Sequence, residues 1–346
     1  MRGLLRKVGL SLVALALAGA YVLSGGDVAH ADPTTVDGAR AQLAQLEQQQ
    51  SELDAKYTEV QVKLQDSQKT LDEARSDAAA QQTKVTTLKT QVSQIALQQY
   101  RSSGLDTTTQ LLVTDDVQSF LNGLSTIKKA NDNTASLLQD YQSAQADLAD
   151  LQRSTEAETQ QIAVQESSLA DLKQQSDGKV NAAQALLDKL TAAQRQQLAA
   201  QQAAVNQQAA TATNTSRSAV RTAIAVGPGG SARAIAALNF ALAQVGKAYA
   251  MGGTGPNAYD CSGLTMVSYA QAGVGLPRTS QAQFGVGVPV SLSQLAPGDL
   301  VFYYSGISHV GIYIGNGMIV HAANPRSGVR TDPVTSMPFM GGRRVA

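Results

Sequence analysis

The 346-residue chain carries no net charge, with 27 basic and 27 acidic residues, and it contains one cysteine. A single cysteine excludes an intramolecular disulfide framework, and the balanced charge gives no indication of nucleic acid as a partner. The charge is unevenly divided, because residues 32–232 carry 17 Lys and Arg against 23 Asp and Glu, whereas residues 233–346 carry 7 against 3. An acidic N-terminal region therefore precedes a basic C-terminal one.

Residues 1–31 have the order of a secretory signal peptide. Three basic residues within the first seven positions precede an uncharged run over residues 8–26, and an Ala-x-Ala pattern ends at Ala31. An uncleaved membrane anchor is the alternative, since the run approaches the ~20 residues of a spanning helix. The Gly and Ser content and the cleavage pattern favour removal. We expect the remaining chain to be secreted, extracellular or associated with the cell wall.

Residues 32–206 are predicted to form a coiled-coil region. Apolar residues recur at heptad spacing from Val36 to Gln99, without Gly or Pro between Ala39 and Ser103, which predicts a helix about 100 Å long. A second helical region, about 116–206, has a wider and less regular stripe. The helix-breaking "RSSGLDTTTQ" lies between stripes of similar length, so an antiparallel hairpin is favoured, with "DDVQSFLNGLSTI" as a short helix at its tip. Pairing with another chain is the alternative.

Residues 207–231 are rich in Thr, Ser, Ala and Gly and are predicted to be a flexible linker. From residue 232 onwards, Gly, Tyr and β-branched residues replace Gln. We expect a helix capped by Ser231 and ending near Gly246, a second helix from Cys261 to Gly273, and strands around "DLVFYY", "HVGIYI" and "MIVHAA". Helices followed by an antiparallel sheet indicate an α+β domain over residues 232–346.

Because the chain is expected to be exported, the unpaired Cys261 suggests either a disulfide between chains or a reactive thiol. With Asp260 as the predicted cap, Cys261 lies in the first turn of a helix, where we expect the helix dipole to lower the pKa of the thiol. A thiolate nucleophile needs a base, and the base needs an orienting partner. Only His309 and His321 remain once the signal peptide is removed.

The turn between the two histidines decides whether they can act together. A two-residue Asn-Gly turn would pair Ile312 with His321 and place the histidines on opposite faces of the sheet. A three-residue turn, residues 315–317, would pair Gly311 with His321 and place both on one face. We predict the second register, because it also collects an apolar stripe on the other face: Val310, Ile312, Ile314, Met318 and Val320.

Five motifs in this order, "AYAMGG", "YDCSGL", "LPRTSQAQ", "PGDLVFY" and "HVGIYIGNGMIVHA", resemble the NlpC/P60 cell-wall peptidases, which are papain-like cysteine enzymes. The resemblance covers about residues 233–346. It implies Cys261 as nucleophile, His309 as general base and His321 as the residue that orients the base. It implies no cofactor and no metal, and it places four further residues at or near the substrate cleft: Tyr249, Asp260, Ser262 and Arg278. Met251 departs from the family, in which many members have Trp.

The resemblance implies bacterial peptidoglycan as the substrate, usually cut between D-glutamate and the diamino acid that follows. A thiol amidase or acyltransferase on the same scaffold, or a non-enzymatic envelope adaptor, are alternatives. A zinc site of Cys261, His309 and His321 lacks the short ligand spacing of structural sites. The N-terminal region resembles that of division-associated hydrolases of the PcsB and Rip type. This second resemblance implies docking on a membrane complex of the FtsEX type and control of the peptidase by the coiled coil.

Overall fold

The computed structural model describes residues 35–102, 117–201, 203–204, 207 and 231–346. The predicted signal peptide, the helix-breaking insert beyond Ser102 and nearly all of the predicted linker lie outside these residues. Within the described ranges, no helix combines the length and the apolar character that crossing a membrane requires.

The N-terminal half is a hairpin of two long helices, α1 (Val36–Ser102) and α2 (Val117–Lys189). The side chain of Gln81 donates to the carbonyl of Ala144 at 2.9 Å, whereas the earlier Asp54 is contacted by the later Ser176 at 2.8 Å. A later residue of α1 thus contacts an earlier residue of α2, so the two helices are antiparallel. The predicted pairing within one chain is confirmed.

The helical region differs from the prediction at both ends of α2. Residues 117–127, predicted as a separate short helix, are continuous with α2. At the other end the helix stops at Lys189, and residues 192–201 form a further helical segment. Thr191 and Gln194 cap this segment reciprocally, since each side chain accepts a hydrogen bond from the backbone N–H of the other, at 2.9 and 3.2 Å.

The C-terminal region is an α+β domain, as predicted. The helices are α3 (Ala232–Ala243), α4 (Cys261–Gln271) and α5 (Ser280–Phe284). The strands are β1 (Ala248–Tyr249), β2 (Ala258–Tyr259), β3 (Val288–Val290), β4 (Leu300–Tyr303), β5 (His309–Gly315), β6 (Met318–Asn324), β7 (Gly328–Pro333) and β8 (Phe339–Arg344). Six of the strands form an antiparallel sheet in the order β3-β8-β4-β5-β6-β7, and β1 and β2 form a separate parallel pair. Sequence patterns anticipated only β4, β5 and β6.

Capping residues fix where the two main helices of this domain begin. Ser231 accepts from the N–H of Ala234 at 3.1 Å, and Asp260 accepts from the N–H of Gly263 at 2.6 Å, as expected for N-caps. Gly263 also allows α4 to approach the neighbouring loop, because a Cβ at this position would lie 2.1 Å from the carbonyl oxygen of Gly253. These contacts hold the first turn of α4, and thus Cys261, against the loop between β1 and β2.

The C-terminal domain has a hydrophobic core of its own. One buried cluster fills the space between α3, α4 and one face of the sheet, and a second lies on the opposite face around Val301 and Tyr303. Both clusters consist of residues from position 237 onwards, whereas Leu43, Ala183 and Leu186 form a separate cluster in the hairpin. The domain therefore contains the apolar contacts that stabilise its fold without the hairpin.

The hairpin of β5 and β6 has the predicted histidine register. Ile312 pairs with Val320 and Tyr313 with Ile319, which places Gly311 opposite His321. The turn itself is tighter than predicted, because Gly315 pairs with Met318 and a bulge after Tyr313 restores the register. The apolar stripe on the other face belongs to the core cluster beneath α4, as predicted.

Candidate active site

Cys261 begins α4 and points into the protein. The thiol donates to the carbonyl of Ser308 at 3.9 Å and accepts from the backbone N–H of Val310. Burial raises the pKa of Cys261 to about 12, and the charges of Asp260 and Asp54 add to this effect. The expectation of a lowered pKa is therefore wrong for this conformation, because desolvation of the thiol and two nearby carboxylates outweigh the helix dipole.

His309 and His321 are brought into direct contact by the register of β5 and β6. The Nε2 atom of His309 lies 2.7 Å from Nδ1 of His321, and the two rings stand edge to face. Each side chain is 2% exposed. Burial, together with the neighbouring His321, lowers the pKa of His309 well below 6.5. A neutral imidazole is the form that can accept a proton from a thiol.

A carboxylate that sequence reasoning missed completes this chain of contacts. Oδ2 of Asp332 on β7 lies 2.9 Å from Nε2 of His321 and accepts from Nε of Arg330 at 2.8 Å. Burial alone would raise the pKa of Asp332, but the hydrogen bonds and charges of His321 and Arg330 outweigh it and lower that pKa below 3.8. The sequence did offer one indication of Asp332, because residues 233–346 contain only three acidic side chains.

The four residues that the resemblance placed at the cleft lie together around the thiol. Arg278 donates to Oδ1 of Asp260 at 3.1 Å and to Oγ of Ser262 at 3.0 Å, and it forms an ion pair with Asp260. Tyr249 lines the same cavity as Cys261. This wall of the site thus combines a phenol, a hydroxyl and a buried ion pair.

Helix α1 lies directly over the site. Asp54, Ala55 and Thr58 line the cavity that contains Cys261, and that cavity has a volume of about 10 Å³. A cavity of this size holds at most about one water molecule. The hydroxyl of Tyr249 donates to Oδ2 of Asp54 at 2.7 Å. In this arrangement the hairpin, and not a substrate, occupies the space in front of the thiol.

Further contacts hold α1 against the C-terminal domain on the N-terminal side of Asp54. Ser51 donates to the carbonyl of Ser308 at 3.1 Å, the same oxygen that receives the thiol hydrogen bond. Glu47 forms an ion pair with Arg326 and accepts from Asn324 at 3.2 Å. The partners of these two α1 residues lie at the start of β5 and at the end of β6, the strands that carry the histidines.

Asp54 is almost fully buried in the contact between α1 and the C-terminal domain, with 4% of the residue exposed. Gln50 and Ser176 also donate to its carboxylate, at 2.9 and 2.8 Å. Burial is the largest influence and raises the pKa of Asp54 to about 6, although its hydrogen bonds act in the opposite direction. The coiled-coil prediction did not anticipate that Asp54 contacts the site.

The signal for these α1 contacts lay beside the apolar stripe. Glu47, Ser51, Asp54, Thr58 and Gln61 follow one another at intervals of four, three, four and three residues, which keeps them on one face of a helix. Each of these residues directly follows, in the sequence, one of the heptad residues predicted to pack against α2. Because its members are polar, a search for hydrophobic periodicity passes over it.

A thiol at a helix start, an imidazole pair and a carboxylate on adjacent strands together define a site of the thiol-hydrolase class. Comparison with known proteins agrees with this class. Residues 246–341 match the model of the NlpC/P60 family. The chain carries an NlpC/P60 domain at its C-terminus.

Curated relatives match the same region and are named as endopeptidases. The chain is 43% identical over 104 residues to a "Probable endopeptidase" of Corynebacterium glutamicum, covering 30% of this chain and 50% of that protein. It is 44% identical over 119 residues to one of Mycobacterium tuberculosis, covering 34% and 30%. It is 50% identical over 93 residues to p60 of Listeria monocytogenes, covering 26% and 19%. The chain thus spans half or less of these relatives.

Two solved structures are each similar to about a third of the chain. The Resuscitation Promoting Factor Interacting protein RipA is 29% identical, with a TM-score of 0.31, and the match covers 34% of this chain and 70% of that one. A P60 domain from an antigen of Mycobacterium avium subspecies paratuberculosis is 32% identical, with a TM-score of 0.30, covering 33% and 96%.

Proposed function

We propose that this protein is a cysteine endopeptidase that hydrolyses peptide bonds in the stem peptides of bacterial peptidoglycan. The observation that carries this proposal is the contact between His309 and His321 on the strands beside Cys261, within a domain of the NlpC/P60 family. The names of the relatives support hydrolysis of a peptide bond. Residues 1–31 support secretion of the enzyme to the cell wall.

The site residues would divide the reaction as follows. His309 takes the proton of the Cys261 thiol, and the thiolate attacks the carbonyl carbon of the scissile bond. His309 then gives the proton to the leaving amine as the C–N bond breaks, and water hydrolyses the resulting thioester. Backbone N–H groups at the start of α4 are placed to stabilise the oxyanion. His321 holds the ring of His309 in place.

The cleft wall suits a polar peptide of the stem type. Arg278, Asp260 and Ser262 present donors and acceptors beside the thiol. Tyr249 adds a phenol to the same cavity. We propose the bond between D-glutamate and the following diamino acid as the one cut. A free carboxylate and an amide at this bond would find partners in these groups.

We further propose that the hairpin keeps the enzyme latent. Pockets that accept small molecules measure roughly 300 Å³ or more, whereas the cavity at Cys261 measures about 10 Å³ with α1 in place. Substrate therefore requires α1 to leave. The raised pKa of Cys261 adds a chemical restraint to this steric one, because part of its burial and one of the nearby charges come from α1.

Docking of the hairpin on a membrane complex of the FtsEX type is the proposed means of release. The far half of the hairpin supports a binding role, since it exposes the apolar side chains of Leu97, Leu121 and Leu138. Adding such a complex in nanodiscs to the full chain should accelerate digestion of peptidoglycan. An unchanged rate would remove this partner from the proposal.

Mass spectrometry of purified peptidoglycan treated with residues 231–346 tests the proposed activity. We expect stem-peptide fragments ending at D-glutamate, and none after treatment with the Cys261→Ala variant. Fragments cut between sugar and peptide would instead identify an amidase, and joined peptides an acyltransferase. Intact peptidoglycan with both proteins would support a non-enzymatic adaptor.

A further inference from the structure

The chain of contacts from the thiol ends on a carboxylate whose protonation state is fixed by its surroundings. Asp332 is 4% exposed, and its Oδ2 atom accepts from both Nε and the terminal nitrogen of Arg330 at 2.8 Å. The same oxygen lies 2.9 Å from Nε2 of His321. An ionised carboxylate can only accept hydrogen bonds. Nε2 of His321 must therefore carry the proton in this contact.

When each imidazole carries one proton, that constraint determines where both protons lie. With its proton on Nε2, His321 has a lone pair on Nδ1, and this atom lies 2.7 Å from Nε2 of His309. Nε2 of His309 must then be the donor. Its remaining lone pair is left on Nδ1, which is the atom of the ring nearer the backbone.

The thiol lies against the backbone of the strand at His309, and Nδ1 is the ring nitrogen nearer that backbone. Sγ of Cys261 contacts the backbone on both sides of His309, through the carbonyl of Ser308 and the N–H of Val310. The opposite tautomers would place a proton on Nδ1 of His309 and leave the thiol without a base. The direction of the hydrogen bonds in this chain therefore decides whether the site can react.

We infer that Asp332 is a positioning residue that fixes the tautomers of both histidines and so leaves Nδ1 of His309 free to take the proton of Cys261. This inference rests on the proposed function, because it assigns Asp332 a task in the proposed reaction. Arg330 supports the task by holding the carboxylate on the oxygen that faces His321. The charge of Asp332 also stabilises the imidazolium that forms when His309 accepts the proton.

Histidine tautomers can be measured without any peptidase assay. In the full chain labelled with ¹⁵N-histidine, two-bond ¹H–¹⁵N correlation spectra distinguish imidazoles protonated on Nε2 from those protonated on Nδ1, and a His30→Ala variant removes the third histidine signal. We expect His309 and His321 to be protonated on Nε2. In Asp332→Ala, water can replace the carboxylate and donate as readily as it accepts, so we expect both tautomers of each ring.

Activity of residues 231–346 supplies the second readout. Asp332→Ala should lower kcat by roughly 100-fold or more, with little change in KM; a triad aspartate that fixes one histidine directly contributes about 10⁴-fold in a serine protease. In the serine-protease triad the change of Asp to Asn imposes the wrong tautomer. In Asp332→Asn, however, Arg330 donates to the same oxygen that faces His321 and should hold the amide oxygen there, while the charge is lost. We expect this variant to keep the wild-type tautomers and to lose less activity than the alanine variant.

Asp299→Ala is the matched control. Asp299 is 3% exposed and forms an ion pair with Arg344 in the same sheet, away from the histidines. It should lose stability as Asp332→Ala does, but keep single tautomers and wild-type kcat. Wild-type His309 protonated on Nδ1, or Asp332→Ala with unchanged tautomers, would overturn the inference. Failure of the proposed function would appear differently, as correct tautomers in a protein that cuts no peptidoglycan.

Discussion

Replacing Asp54 by asparagine should make latency independent of pH over the acidic range. With α1 docked, burial raises the pKa of Asp54 to about 6, from 3.8 for an exposed carboxyl. Asparagine has a similar shape and stays neutral, so it resembles the protonated form. Tyr249, Gln50 and Ser176, which contact this side chain, can still hydrogen-bond to an amide.

The sign and size of the effect follow from the linkage between protonation and docking. Because the docked state binds the proton more tightly, docking is strongest below pH 3.8 and weakens as the pH rises towards about 6. The full difference corresponds to roughly 3 kcal/mol at ~1.4 kcal/mol per pKa unit. Between about pH 5 and pH 7 the open fraction should rise ~10-fold in the wild type. In Asp54→Asn this rise should be absent.

The other groups around Asp54 do not titrate in this range. Burial raises the pKa of Tyr249 well above 10 and that of Cys261 to about 12, and the hydrogen bond that Lys173 donates to Asp177 raises the pKa of Lys173 above 10.5. Asp260 forms the same ion pair with Arg278 in both proteins, so its effect cancels when the two are compared. His309 is present in both proteins, so its protonation cancels when the two are compared.

Alkylation of Cys261 by iodoacetamide measures the open fraction. At each pH the rate for the full chain is divided by the rate for residues 231–346, which cancels the intrinsic pH dependence of the thiol. Asp66→Asn, an exposed position on the same helix, is the control and should follow the wild type. A wild-type ratio that does not change with pH, or an Asp54→Asn ratio with the wild-type slope, would refute the reasoning.

Three further substitutions test separate parts of the structure. Glu47→Gln removes the ion pair to Arg326, in which each side chain is about one-third exposed. Since such pairs contribute up to ~1 kcal/mol, the alkylation ratio should rise roughly 2- to 5-fold, and no rise would argue against this anchor. Gly263→Ala places a Cβ 2.1 Å from the carbonyl oxygen of Gly253, so the domain should lose about 1–3 kcal/mol, and an unchanged melting temperature would contradict the packing of α4. Arg278→Lys replaces a planar two-nitrogen donor by one ammonium, and kcat/KM of the domain for a stem peptide should fall roughly 10-fold, whereas full activity would show that the cleft does not need the guanidinium.

Local sequence patterns were sufficient for the elements that carry the thiol and the histidines. Asp260 and Gly273 mark the limits of α4, and the alternation of apolar residues around "GNG" fixes the register of β5 and β6, because a slip of one residue would expose the whole stripe. These features depend on neighbours within a few residues. The same reasoning could not find β7, which is short and half polar, and so it missed Asp332.

Long-range contacts account for the remaining differences. A helix start favours a thiolate when the thiol meets solvent, but burial, to which α1 contributes, raises the pKa of Cys261 instead. No residue near "YDCSGL" indicates that α1 packs there. Asp54 lies 207 positions before the cysteine, in a region whose periodicity explained its pairing with α2. Helix α1 packs against α2 through its apolar stripe and against the C-terminal domain through the polar stripe beside it. The heptad pattern identifies only the contact with α2.

Digestion of purified peptidoglycan by three proteins at equal concentration tests most directly whether this is a cysteine peptidase held latent by its hairpin. The proteins are the full chain, a full-chain Ala55→Arg variant and residues 231–346. Ala55 is buried against the cavity at Cys261, so arginine there should displace α1. We predict slow release of stem peptides by the full chain and release near the rate of the isolated domain by the variant. Equal rates for all three proteins would contradict latency, and no release by the isolated domain would contradict the peptidase itself.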